Sequence, residues 1–182
     1  MNPKDTLPIS DAASVGLAAC HDAADRIEAA GSFSVVCHAA DGTVRWAEEI
    51  SNLVVTVGKN DLLNQYFRGS VYTAAFFVGL KTAGSISAGD TMASKSWVEI
   101  TDYSNVTRPA YTAAFPSAGS TNNVASPAVF TITGTATVGG CFITTSNTKG
   151  GTAGTLFSAT DFPAARSVLS GDTLTVTYTI SC

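Results

Sequence analysis

Phe130-Thr131-Ile132-Thr133-Gly134-Thr135-Ala136-Thr137-Val138 alternates threonine with apolar or small residues, and Thr173-Leu174-Thr175-Val176-Thr177-Tyr178-Thr179-Ile180 repeats the pattern near the end of the chain. A period of two puts every threonine on one face of a strand and every apolar side chain on the other. The two runs predict antiparallel sheet with one apolar face and one neutral, hydroxyl-bearing face. The first run lies in a longer stretch, residues 109–148, that holds no Asp, Glu, Lys or Arg. Polar residues and glycines interrupt that stretch every few positions, so it does not read as a membrane span. A solitary domain ordinarily covers its outer faces with mixed charge. A neutral threonine face suits a surface that meets other protein, although threonine is also simply a good strand residue.

Around these runs the pattern beyond Gly69-Ser70 is all-β. Strands are predicted near 72–81, 97–100, 107–115, 128–138, 141–145, 154–157 and 173–181. Turn signals fall at Ala83-Gly84-Ser85, Ser120-Thr121-Asn122-Asn123, Gly139-Gly140 and Gly150-Gly151. Gly-Asp-Thr occurs at Gly89-Asp90-Thr91 and Gly171-Asp172-Thr173, where an aspartate can fix a turn through its own backbone. Short strands at this spacing argue for a sandwich or jelly roll.

The first part of the chain differs in character. Residues 1–91 carry 16 of the 24 charged side chains, so this part reads as conventionally solvated. Asp11 can cap an alanine-rich helix over about 12–30, with Gly31 as its stop. Residues 32–39 and 43–48 read as a hairpin about Asp41-Gly42. Over 50–67, Leu53 to Val57 favours strand by propensity, whereas Leu62, Leu63, Tyr66 and Phe67 form one helical stripe; a helix over about 52–67 is expected. The fold class is thus mainly β: an antiparallel β-sandwich or jelly-roll-like domain over 44–182, with one or two N-terminal helices. Residues 1–43 form an N-terminal arm that includes the start of the hairpin.

At 182 residues the chain is long enough for one domain with a real core. A net charge of −4 gives no reason for direct nucleic-acid binding. Met1-Asn2-Pro3-Lys4-Asp5 does not open a secretory leader, so folding in a cytoplasm is expected, and no apolar window is long enough for a bilayer. Cys20, Cys37, Cys141 and Cys182 form no C-x-x-C pair and are read as free thiols, three of them packed as small apolar groups.

Catalytic chemistry finds little support. His21 and His38 are the only histidines, and no Gly-x-Ser-x-Gly is present. Cys20-His21 and Cys37-His38 suggest a metal quartet, but neighbours on a strand point to opposite faces and the zinc spacings are not met. Asp90, Glu99, Asp102, Asp161 and Asp172 are candidate paired carboxylates whose simpler roles lie in turns and strand ends. Gly150-Gly151-Thr152-Ala153-Gly154 lacks the Lys-Ser/Thr ending of a phosphate loop and reads as a mobile hairpin. Asn105-Val106-Thr107 matches a glycosylation sequon that has no meaning without a secretory signal. Tyr72, Phe76, Phe77, Trp97, Tyr103, Tyr111 and Phe115 either line a sugar-binding face or, the simpler reading, fill the core. Arg45 and Trp46 are candidate interface anchors. Arg108 and Arg166 are expected to pair with carboxylates. No catalytic residue, cofactor or metal is expected.

Long ordered motifs carry a resemblance. They are Asn-Leu-Val-x-x-x-Gly-x-x-x-Leu-Leu from Asn52 to Leu63, Tyr-Thr-Ala-Ala-Phe-Phe-Val-Gly-Leu from Tyr72 to Leu80, and Ala-Gly-Asp-Thr-Met-Ala-Ser from Ala88 to Ser94. Trp97, Arg108-Pro109-Ala110, Thr135-Ala136-Thr137-Val138-Gly139-Gly140 and Arg166-Ser167-Val168-Leu169-Ser170-Gly171-Asp172-Thr173-Leu174 follow. Over about residues 44–180 the chain resembles a group of small structural proteins of tailed bacteriophages. The resemblance implies a virion component made in the host cytoplasm and no enzyme. The role it favours is a capsid cement, or decoration, protein bound over joints between major capsid protein subunits as a homodimer or homotrimer. A tail, baseplate or fibre component is the alternative, and a carbohydrate-binding module or enzyme a third reading.

Overall fold

The computed structural model describes residues 28–69 and 75–182. Among them the chain runs β1 (Ala30–His38), β2 (Val44–Ser51), β3 (Leu53–Val54), α1 (Thr56–Phe67), β4 (Phe76–Lys81), β5 (Glu99–Ile100) and β6 (Ala110–Tyr111). It continues through β7 (Ser120–Asn122), β8 (Ala128–Thr131), β9 (Ala136–Thr144), β10 (Leu156–Val168) and β11 (Thr173–Ser181). Two antiparallel sheets face each other. The first has the order β2-β1-β11, with β8 and β7 sharing the far edge of β11. The second has the order β3-β10-β9-β4, with β5 and β6 sharing the far edge of β4. The mainly β, sandwich-like reading with a helix ahead of most strands therefore holds.

The alternation in β11 determines its place. Leu174, Val176 and Tyr178 point inward and are buried, while Thr173, Thr175, Thr177 and Thr179 face outward, half-buried. Phe33, Val35 and Cys37 of β1 join them inside, and Val78, Leu80, Val138, Cys141 and Ile143 meet them from the second sheet. The gap along β11 between β7 and β8 is closed by a side chain. Asn123 is buried, accepts from Tyr178 N at 2.7 Å and donates to Val176 O at 3.4 Å, supplying the ladder bonds that no strand makes there. The Asp41-Gly42 turn forms as expected, with Asp41 Oδ1 accepting from Thr43 N at 2.9 Å and from Thr43 Oγ1 at 2.7 Å.

A second core lies on the other side of the second sheet. Met92 and Trp97, from the long β4–β5 connection, cover Phe142, Leu156 and Ala159 together with Val55 at the start of α1. That cover explains why β9 is buried on both faces from Val138 to Thr144.

Several boundaries differ from expectation. Gly139-Gly140 is no turn but lies inside β9. A Cβ on Gly139 would stand 1.9 Å from Ala83 N, and one on Gly140 1.9 Å from Thr160 O, so glycine is there to let backbone approach. The run 128–138 is not one strand. β8 ends at Thr131, the chain turns the corner through a single bridge between Ile132 and Tyr103, and β9 begins at Ala136 in the other sheet. Its alternation survives because Phe130, Ile132 and Val138 all point into the shared core. The expected turn at 120–123 contains β7. The expected strands at 97–100 and 107–115 shrink to β5 and β6. β10 runs far past Phe157, its ladder with β9 shifting register between Asp161 and Arg166 around Pro163.

Leu53-Val54 pairs with Ala159 and Ser158 as β3, so the helix starts at Thr56 and not at 52. Ala30 and Gly31, read as the end of a helix, belong to β1, and Glu28 and Ala29 just ahead of them are not helical either. Residues 12–27 of that expected helix, like residues 72–74 of the expected strand at 72–81, lie outside the described residues. Because β1 is hydrogen-bonded on both sides, by β2 and β11, the boundary at 43 falls inside a sheet and residues 30–43 belong to the sandwich.

Candidate functional site

The threonines of β11 do not stand alone on their face. Directly paired residues of antiparallel strands share a face, so the register builds rows across the first sheet, of which Ala30, Ser181 and Ser120 form the end one and four more follow. Those four are Ser51, Ser32, Thr179 and Asn122; Glu49, Ser34 and Thr177; Ala47, Val36, Thr175 and Val129; and Val44, His38, Thr173 and Thr131. Glu49 is the one formally charged side chain in these rows. Ser34, Ala47, Glu49, Val129 and Thr131 are exposed. The result is a broad hydroxyl-bearing face with Val36, Ala47 and Val129 near its middle. The second sheet has its outer face capped by its own chain, as described above.

The charged residues singled out from the sequence serve the fold. Arg108, 1% exposed, donates from Nε and Nη2 to the two Glu99 carboxylate oxygens at 2.8 and 2.6 Å, and also to Ser146 O and Gly151 O, both at 2.8 Å. Gly150 N donates to Glu99 Oε2 at 2.9 Å, and Lys149 Nζ reaches Tyr103 O and Asn105 O. The Gly150–Gly154 hairpin, expected to be mobile, is thus clamped to the 99–108 segment. Asp172 pairs with Arg45 at 3.1 Å and accepts from Leu169 N at 2.9 Å, which fixes the β10–β11 turn from the upstream side. Lys81, fully buried, pairs with Asp161; burial lowers its pKa and the Asp161 partner opposes that shift. Arg166 Nε donates to Glu48 at 2.6 Å. Asp90 accepts from Ser87 N at 3.2 Å in its turn, and Asp102 O accepts from Thr133 N at 2.9 Å.

The candidate catalytic and metal residues do not converge. Cys37 faces the core and His38 the outer surface, while Cys20 and His21 lie outside the described residues. Burial, followed by the neighbouring Asp172 charge, raises the Cys37 thiol to about 11. Cys141 is buried and Cys182 exposed; with Cys37 they are free thiols. Among the described residues no group of three or more His, Cys, Asp or Glu is placed to hold a metal ion, and no helix is long and apolar enough to cross a membrane.

The aromatic set divides. Trp97 and Tyr103 are core residues, Phe76, Phe77 and Tyr111 are half-buried, and Phe115 is 99% exposed. Trp46, read as an interface anchor, packs edge-on against Phe162 and donates to Ser167 O; its companion Arg45 is occupied by Asp172.

Sequence reasoning missed a second surface. Only Gly58 of α1 is buried, its Cα lying so close to β10 that a Cβ would meet Phe157 O at 2.4 Å. The apolar stripe of the helix is left open, with Leu63 54%, Tyr66 85% and Phe67 68% exposed.

No protein-family model matches the chain, and no curated protein matches it.

Proposed function

We propose that the chain is a structural virion protein, a capsid cement or decoration protein that binds over joints between major capsid protein subunits. The observation that carries this reading is the outer face of β2-β1-β11. Among the described residues it is wide, uncovered and almost free of charge, whereas the other sheet is capped by its own chain. A face of hydroxyls and small apolar groups suits a broad contact of modest polarity, since charge is depleted from the centres of protein interfaces. The resemblance of residues 44–180 to structural proteins of tailed bacteriophages supplies the partner. Cross-bridging then works by linkage: a protein that binds the assembled shell and not its separated subunits stabilises the shell.

Quantitative mass spectrometry of purified virions tests the reading. A copy number close to that of the shell subunits is expected. A few copies per particle would move the protein to tail, baseplate or fibre, and absence from virions would overturn a structural role altogether.

A further inference from the structure

Two neighbouring cavities open beside α1. One, of about 530 Å³, lies at the open end of the sandwich between Leu62, Phe76, Tyr111, Ala113, Phe157 and Ile180. The other, of about 710 Å³, lies between Ala29, Leu63, Tyr66, Phe67 and Cys182. Leu62 lines both, so the two apolar hollows lie side by side along α1, together termed the groove. In its first half the Tyr111 hydroxyl is buried without a hydrogen bond of ordinary geometry, the nearby Thr121 hydroxyl being spent on Ala114 O at 2.7 Å.

Beside the groove stands a knob. Residues 112–119 are all exposed and uncharged. They lead into a two-residue hairpin in which Ser117 N donates to Ser120 O at 2.8 Å and Ser120 N to Ser117 O at 3.0 Å. Its tip, Ala118-Gly119, has φ of +50° and +72°, the positive pair a type I′ turn requires. Ala114 N donates to Asn122 O at 2.7 Å, so the ladder continues below the tip. Phe115 is therefore held out into solvent by a hydrogen-bonded hairpin, two residues beyond Ala113, which lines the groove. A fully exposed phenyl ring on an ordered scaffold loses little freedom on docking, which favours binding.

We infer that this patch is a self-association surface, with Phe115 of one copy seated in the apolar groove of a second copy and the reverse contact made at the same time. Knob and groove adjoin on one patch, so a two-fold axis can satisfy both at once and close the assembly as a dimer. The area suffices. At 150–250 Å² per aromatic side chain, Phe115, Tyr66 and Phe67 at their observed exposures supply roughly 400–600 Å² per copy, against about 800 Å² per partner in a standard interface. The leucines of α1 and the small residues of the hairpin extend it. The seam carries little charge, Glu28 and Lys59 being the charged side chains among the residues that line the groove. This inference stands apart from the virion reading and holds for the isolated protein.

Sedimentation equilibrium of the full chain, its Phe115→Ser variant and its Tyr66→Ser variant tests it. The expected result is a wild-type dimer whose dissociation constant rises tenfold or more in each variant, the usual effect of removing a central aromatic anchor. Both side chains are exposed, so unchanged circular dichroism and melting of the monomer are expected. A wild-type chain that stays monomeric into the hundreds of micromolar would overturn the inference and leave the groove to residues 1–27 or a different protein. A dimer unmoved by both substitutions would overturn it equally, placing the contact elsewhere.

Discussion

Arg108 shows how the chain uses its few interior charges. A guanidinium out of water is tolerable only when its donors are met, and here Glu99 and two backbone carbonyls meet them. Arg108→Met is expected to destabilise the fold by about 3–5 kcal/mol, because it leaves the Glu99 carboxylate, 6% exposed, without its partner. The double variant Arg108→Met, Glu99→Leu should recover part of that loss, the two carbonyls remaining unmet; thermal melts of the three proteins check both statements. Burial also sets an alkaline limit. It pushes the Tyr111 and Tyr178 phenols up to about 12 from an ordinary 10.0. A raised folded-state value gives stability that is fully present below the unfolded value and is lost as pH climbs through the folded one. Cys37, raised to about 11 from 9.0, acts in the same sense. Lys81 and Lys95, lowered from 10.5 chiefly by burial, act oppositely, and their effect ends near 10.5. The melting temperature should therefore fall most steeply between pH 10.5 and 12, and a flat profile there would contradict the burial of these phenols.

Elements were legible wherever side-chain period alone decides. β11 occupies the residues its alternation marks, and the β1–β2 hairpin forms about Asp41-Gly42. Legibility failed where backbone approach decides. Gly139-Gly140 carries a turn signal, yet its lack of side chains is what lets the 82–83 segment cross over β9, a non-local contact with no local signature. Gly139→Ala should cost about 1–3 kcal/mol or more through overpacking, read from the urea midpoint. Ala118 makes the opposite case. It holds a left-handed conformation that asparagine tolerates better, so Ala118→Asn should gain a few tenths to about 1 kcal/mol in the same titration. Of the candidate site, the neutral character of the threonine face was visible in the sequence. Its neighbours across the sheet were not, because register is a property of pairing. Nor was the exposure of Phe115, since a phenylalanine beside strand-like residues reads as core until the hairpin that lifts it out is seen.

At the scale of the molecule the two sheets are unequal. The second is sealed by Met92, Trp97 and the start of α1, whereas the first presents Ser32, Ser34, Thr175 and Thr177 with little charge around them. Among the described residues one sheet is capped and the other is left uncovered and neutral, an arrangement that suits contact on the uncovered side. The knob and groove of Phe115 and α1 add a second contact, at the end of the sandwich, suited to pairing copies. The most direct measurement of the central proposal is a competition during particle assembly between the wild-type chain and a Thr175→Lys, Thr177→Lys variant supplied in equal amount. Incorporation is read by mass spectrometry of purified particles, and melting confirms that the variant folds. Because both threonines point outward, the variant should fold as the wild type does and be nearly excluded from particles. Incorporation equal to wild type would contradict the assignment of this face to the shell.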